Sequence, residues 1–588
     1  MKKSKLLAMI LSLGLVLSAC SQDSPEDKET DSQSLSESAE GVGKGHNGEV
    51  KANLTFDGDK IAEIDLVHNE TEGLGDLAAE KMVNEIKDKQ SVNLEGVSGA
   101  TETSTAVLTA VKEAIEASGR KLETYEKEVS DEKKEAQKLD TDVVVVGGGG
   151  AGFAAAVSAK EAGADVILLE KLESLGGNTL ISGGEYAAPA NDIQIEEGIE
   201  DSKELFASDV EVAGGNKDLI AVLADKATEA AYWLRDDIGV SWKDSLMFFG
   251  GHSVKRSLIP ENHSGNELIK NYIAKAEELG IEVITGADVK ELLAEDEKIV
   301  GVKALKDGGD LIVNAQSVVL ATGGFGANDQ MTYENDNAID EHILSTNSPG
   351  ATGDGIIMAE ALGADTVDMD QIQLYPICDI ETGKLLYVGD TRLVGGALLV
   401  NKEGERFVEE LDTRRAISMA IKDQTDHVGY LIWDDLSNEE TGTMASNPEE
   451  AEDLYERGLL YKADTIEELA EHFEVDKDAL LETVANFNEN SKNEEDPEFN
   501  LRMLGWTIEK APFYMLKAAP AVHHTMGGLV INTDAEVLTT EGEKIDGLYA
   551  AGEVTGGIHG SNRLGSVAMA DITVFGRIAG ENAAANIK

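Results

Sequence analysis

The stretch TDVVVVGGGGAGFAAAVSAKEAGADVILLE, residues 141–170, decides the reading of the whole chain. Its four valines, Val143–Val146, have the length and β-branching of a buried parallel strand. Gly147, Gly149 and Gly152 follow on the GxGxxG spacing, residues 154–162 predict a helix, and Val166–Leu169 predict a second strand ending in Glu170. Each part has a physical task. The glycines let the backbone close on a pyrophosphate, the helix N-terminus offers N–H groups and partial positive charge, and Glu170 can take ribose hydroxyls. Strand, glycines, helix, strand and acidic end in that order point to a dinucleotide site in an α/β, Rossmann-like domain. This stretch alone leaves NAD and FAD open.

Two later segments, Ser317-Val-Val-Leu-Ala-Thr-Gly-Gly-Phe325 and Gly547-Leu-Tyr-Ala-Ala-Gly-Glu553, repeat an apolar run followed by a glycine turn. They read as further strands of one sheet, so the segments between them are excursions from it. A length of 588 residues accommodates about three or four domains. The formal charge of −62 argues against nucleic acid as a partner, because phosphate binding needs Lys and Arg to displace counterions. It argues equally against electrostatic docking on anionic lipid and fits a strongly solvated acidic surface.

The first residues carry Lys2, Lys3 and Lys5, then an apolar-biased run at 6–17, too short to span a bilayer. This is an export signal. Leu17-Ser18-Ala19-Cys20 resembles the bacterial lipobox, which implies cleavage before Cys20 and diacylation of its thiol. Residues 1–19 are then a lipoprotein signal peptide and 20–40 a disordered Ser/Asp/Glu tether. The expected location is the extracytoplasmic face of the cell membrane, held by a lipid anchor. Only Cys378 remains, so no intramolecular disulfide, haem motif or CxxC metal motif is available, and no metal is expected. Any electron relay is therefore organic.

Residues 41–120 predict a small α+β domain. Its signals are a hairpin around Asp57-Gly58, a helix near 77–87, the string Glu95-Gly-Val-Ser-Gly-Ala-Thr101 and a helix to about Ala117. The string resembles the flavinylation sequence of FMN-binding domains. That resemblance implies a covalent FMN on Thr101, attached by a flavin transferase, although Glu95 stands where the family usually has Asp. Residues 121–139 form a Glu/Lys-rich linker, read as a solvated helix or hinge.

From residue 140 onward five strings come in order: Gly176-Gly-Asn-Thr179, Ala321-Thr-Gly-Gly-Phe325, Gly353-Asp-Gly355, His523-His-Thr-Met-Gly-Gly528 and His559-Gly-Ser-Asn-Arg-Leu-Gly565. Together they resemble the soluble fumarate reductase and flavocytochrome c family. The resemblance implies an FAD-binding domain at 140–371 and 491–588 with an inserted α+β clamp at 372–490. It implies non-covalent FAD held by Ala151, Glu170, Asn178, Thr179, Gly183, Gly184, Asp354, Glu553 and Ala568 besides the glycine turn. The implied chemistry is hydride transfer from FAD to a C=C bond conjugated to a carboxylate. Arg414, in Gly404-Glu-Arg-Phe-Val-Glu-Glu-Leu-Asp-Thr-Arg414, matches the proton donor, and His523 and Arg563 match the grip on the reacting carboxylate.

The departures from the family pattern bear on substrate. A histidine expected for the second carboxylate of fumarate is replaced by Tyr375 in Gln373-Leu-Tyr-Pro376. Asp390 stands for a glutamate of the proton relay, Glu185 for a methionine, and Arg392 is an approximate substitute for a relay arginine expected near Val394. Two carboxylates and a phenol would repel a second carboxylate and accept N–H donors. This set resembles the urocanate-reducing branch of the family, which implies urocanate as substrate, imidazole propionate as product and a membrane electron donor in anaerobic respiration. The alternatives are a fumarate or other enoate reductase and, in another class, a non-catalytic flavin electron-shuttle lipoprotein.

Overall fold

The computed structural model describes residues 37–45, 48–70, 75–94, 96–97, 100–127, 136–394 and 396–587, without the side chains of Leu77, Thr101 and Val394. The expected signal peptide, Cys20, most of the expected tether and Glu95, Ser98 and Gly99 of the string that resembles a flavinylation sequence lie outside the described residues.

Val143–Val146 is a strand inside a parallel run ordered Glu282–Ile284, Val166–Leu169, Val143–Val146, Ser317–Leu320 and Lys544–Ala550. Its four valines are all buried, as a strand covered on both faces requires. The sheet continues through Lys298–Lys306 and Gly309–Asn314 to Gln137–Asp140. Helix Gly150–Glu161 begins four residues before the expected 154, so Gly152 lies in its first turn. Gly147 has φ +113°, and a Cβ on Gly152 would lie 1.8 Å from the Gly147 carbonyl oxygen, so the tight turn needs both glycines. The closing helix Val567–Ala585 packs against Gly150–Glu161.

The N-terminal unit is an antiparallel sheet of Ser38–Gly45, Gly48–Asp57 and Lys60–Val67, backed by helices Gly75–Lys89 and Thr101–Ala117. Two expectations are corrected here. The tether does not extend to residue 40, because Ser38, Ala39 and Glu40 pair with Thr55, Leu54 and Asn53. Gly41 and Gly43 hide this strand from pattern reading, yet let it lie on helix Thr101–Ala117, where a Cβ on either would stand 2.1 Å from a helix carbonyl oxygen. The linker is also shorter than 121–139. Tyr125 is buried in the first unit with its hydroxyl donating to the Asp59 carbonyl at 2.7 Å, and Gln137–Asp140 joins the large sheet.

The inserted unit is built on the sheet of Leu344–Ser345, Ile372–Cys378, Ala397–Val400, Gly429–Asp434, Leu460–Ala463 and Phe513–Thr525. The expected clamp boundary at 490 is too early. Asn488 and Ser491 donate to the carbonyls of Ile508 and Trp506, and Phe513–Ala518 pairs with Gly429–Asp434. The return to the FAD-binding part occurs along Phe513–Thr525, whose far end pairs with Ile372 and Gln373. One strand thus belongs to both parts, which no change in composition announces.

Candidate active site

At the end of the parallel strands the glycine turn opens on a cavity. Gly147, Gly149, Ala151, Glu170, Asn178, Thr179, Asp354 and Glu553 line it. Gly152, Gly183, Gly184 and Ala568 are not on its wall. Gly152 acts through the turn, Gly183 and Gly184 lead into Glu185, and Ala568 sits in the first turn of the closing helix. Helix Gly150–Glu161 starts at Gly149, which has no side chain to cap it; Gly150 N–H donates to Thr179 Oγ1 at 3.2 Å, and Gly149, Gly150 and Ala151 bring the amino end of the helix to the cavity wall. Thr322 Oγ1, on the same wall, is buried with no hydrogen-bond partner among the described residues. A cradle of glycines, helix N–H groups and an unpaired hydroxyl fits the pyrophosphate and ribose of FAD.

The acids of this cavity are already ordered. Glu170 accepts from the backbone N–H groups of Gly148 at 2.7 Å and Leu172 at 2.8 Å, and burial raises its pKa. Asp354 pairs with Lys171 at 2.6 Å. Glu553 accepts from the Thr525 backbone N–H at 2.9 Å and from the Asn178 amide at 3.2 Å, its pKa also raised by burial.

Beside this cavity the clamp and the FAD-binding part meet in a second cluster. Gln373, on Ile372–Cys378, uses its amide oxygen to accept from Arg414 at 3.1 Å and from Arg563 at 2.8 Å. Its amide nitrogen donates to the Arg563 carbonyl at 2.9 Å. Arg414 opens helix Arg414–Lys422, capped by Thr413, and its guanidinium carbon lies 4.8 Å from the Tyr375 ring centre. Tyr375 is 5.3 Å from the His523 ring, whose Nδ1 is 3.0 Å from Thr346 Oγ1. Burial and then the Arg563 and Arg414 charges push His523 well below the usual imidazole range, so it is neutral. Burial, with Arg414 beside it, brings Arg563 down to about 9.

The acidic residues adjoin the same cluster. The Tyr375 hydroxyl donates to Asp390, which the 3-10 segment Tyr387–Val394 carries, and burial raises the Asp390 pKa. Glu185 acts electrostatically on both Asp390 and Arg563, and its Oε1 is 2.7 Å from His263 Nε2. Glu185, Tyr375, Asp390, Arg414, His523 and Arg563 are therefore brought together.

Residues 142–569 match the FAD binding domain family, and residues 45–116 match the FMN-binding domain family. A urocanate reductase of Eggerthella lenta is 44% identical over 555 residues, covering 93% of this chain and 92% of that protein. The chain belongs to the fumarate reductase family of FAD-dependent oxidoreductases. An NADH:fumarate oxidoreductase of Klebsiella pneumoniae is 36% identical over 91% of this chain, which spans 57% of that protein's length. The open form of a flavocytochrome c3 fumarate reductase superposes with a TM-score of 0.70 at 36% identity, over 79% of this chain and 83% of that one.

Four residues of this fumarate reductase family member escaped sequence reading. Gln373 joins the two arginines, and its place two residues before Tyr375 was the available signal. His263 faces Glu185 from a loop with φ +48°, and Thr346 faces His523; neither contact has a local pattern. Glu450 accepts from the Tyr387 and Val388 N–H groups, bracing the segment that carries Asp390. Arg392, the approximate relay substitute, is buried, donates to the Glu410 carbonyl at 3.0 Å and acts electrostatically on Asp390. His524 lies 3.6 Å from Glu553 and makes no metal cluster; no such cluster occurs among the described residues.

Proposed function

We propose that this protein reduces the C=C bond of urocanate to imidazole propionate. Its electrons come from a membrane donor through FMN esterified to Thr101, and the mature chain is anchored outside the cytoplasmic membrane by a lipid on Cys20. The observation that supports the substrate is the Tyr375–Asp390 hydrogen bond with Glu185 beside it, an acidic and phenolic lining next to a guanidinium pair. A carboxylate fits the guanidinium pair, and the imidazole N–H groups of urocanate fit the acids. The similarity to a urocanate reductase supports the same reading.

FAD bound in the cavity supplies the hydride. Arg563 and His523 hold the carboxylate conjugated to the double bond, and their donors face the negative charge that develops there as the hydride arrives. Thr346 Oγ1, 3.0 Å from Nδ1, orients the neutral His523 ring, and the tautomer with its proton on Nε2 would donate to that carboxylate. Arg414 gives a proton to the second carbon, so one hydride and one proton saturate the bond. Asp390, held by the Tyr375 hydroxyl and interacting electrostatically with Arg414, is the buried acid from which the proton is replaced, and the Tyr375 ring under the guanidinium keeps it in place.

A fumarate or other enoate reductase is the second reading. It is favoured by the raised Asp390 pKa, a shift toward the neutral acid that weakens its repulsion of a second carboxylate. Purified, flavin-loaded protein tested with reduced viologen against urocanate, fumarate and acrylate decides between them. Urocanate is expected to be fastest, and faster turnover of fumarate rejects the choice. Thr101→Ala is expected to remove the FMN mass from the intact chain, and Cys20→Ser to release the protein from membranes.

A further inference from the structure

Behind Arg563 lies a charged network that none of the chemistry above uses. Arg256 is fully buried on strand Ser257–Pro260's leading edge. Its Nε and one terminal nitrogen each donate to Asp201 at 2.9 Å, and the other terminal nitrogen donates to Asp209 at 2.6 Å. That last nitrogen also lies 3.0 Å from His252 Nδ1. Asp209 takes two further bonds from Ser253, and Asp201 takes one each from Gln194 and Ser202.

A guanidinium has only donors, so Nδ1 of His252 accepts and the ring proton resides on Nε2. Burial lowers the His252 pKa and keeps the ring in this neutral form. Nε2 is 2.9 Å from the Gly565 carbonyl, two residues after Arg563. One residue further, Ser566 has φ +65° and shares a 2.7 Å hydroxyl contact with Ser257. A serine in the left-handed region persists only where its surroundings hold it there. Gly565 itself packs so closely on Phe249 that a Cβ would lie 2.5 Å from the ring. The loop is thus fixed at two successive residues, Gly565 and Ser566. Burying three charges is costly unless all are paired, and here each has its partners.

We infer that Arg256 and His252 are positioning residues that set the Arg563 guanidinium for the substrate carboxylate, with Asp201 and Asp209 orienting Arg256. The inference rests on Arg563 as the carboxylate grip and not on which enoate is reduced. An arginine clamp loses much of its value when displaced by a fraction of an ångström, so losing the Nε2–H bond acts through Arg563 without touching substrate.

The test compares His252→Phe, which keeps ring volume without a donor, with His252→Gln, which restores an N–H near the Nε2 position. Phe is expected to lower kcat/KM about tenfold for urocanate and fumarate alike, and Gln to recover to within about threefold of the parent. FAD content is expected to stay at the parental value in both, while the melting temperature falls in the Phe variant, which leaves the Gly565 carbonyl unpaired, and less in the Gln variant. Arg256→Lys, which keeps the charge without the fork, is expected to follow Phe in direction. Unchanged kcat/KM in the Phe variant, a Gln variant as impaired as Phe, or a loss confined to one substrate overturns the inference. Arg563→Gln, run alongside, reads the carboxylate assignment separately, and the urocanate-to-fumarate ratio reads the choice of substrate.

Discussion

The cofactor cradle and the substrate cluster are neighbours built on different principles. The cradle is mainly backbone from one continuous stretch: a strand, a glycine turn with φ +113° at Gly147 and the open end of a helix. The cluster is side chains gathered from distant segments, Gln373 to Asp390, Arg414, and His523 to Arg563. A backbone cradle fixes the class of cofactor and tolerates little change. A side-chain cluster fixes the substrate and can change one residue at a time without disturbing the flavin.

That contrast is exposed first by destroying each half. Gly152→Val places side-chain atoms against the Gly147 carbonyl, and the expected result is purified protein without FAD absorbance and without activity. Arg414→Ala is expected to retain the full FAD spectrum while kcat falls about 10³-fold, within the range for loss of a positioned proton donor. An Arg414→Ala protein that loses its flavin would show that the two halves are not independent. A smaller change, Tyr375→His, removes the phenol bonded to Asp390 and supplies a cation or neutral donor. Its ratio of fumarate to urocanate kcat/KM is expected to rise about tenfold, roughly one close charge interaction. An unmoved ratio would place specificity elsewhere in the cluster.

The same contrast explains what was legible in the sequence. The cradle could be read because strand period, glycine spacing and helix follow one another within thirty residues and each leaves a local signature. Arg414, His523 and Arg563 were reached through motif resemblance, and the structure places them together. Gln373, His263, Thr346 and Glu450 were not reached, because their roles are contacts across 41, 78, 177 and 63 positions. The strand beginning at Ser38 was missed because its inward positions include glycines, chosen for a close helix rather than for hydrophobicity. The clamp boundary was misplaced because Phe513–Thr525 serves two sheet neighbourhoods in one uninterrupted strand.

The smallest expected effect probes how the cluster is held. Glu450 accepts from Val388 N–H at 2.7 Å and Tyr387 N–H at 3.1 Å, ahead of Asp390 on the same segment. Burial, aided by Asp390, raises its pKa from 4.5 to about 7. Between those values the folded protein keeps a proton that the unfolded chain has released, so stability falls as pH rises, and the penalty is complete above pH 7. Glu450→Gln removes the titration but replaces one accepting oxygen with a donor, a pH-independent loss of about 1 kcal/mol. The difference in melting temperature, variant minus parent, is therefore expected to climb from its lowest value near pH 4.5 to a plateau above pH 7. A difference that stays flat across this window would show that Glu450 ionises without hindrance, and that the segment carrying Asp390 is held by hydrogen bonds alone.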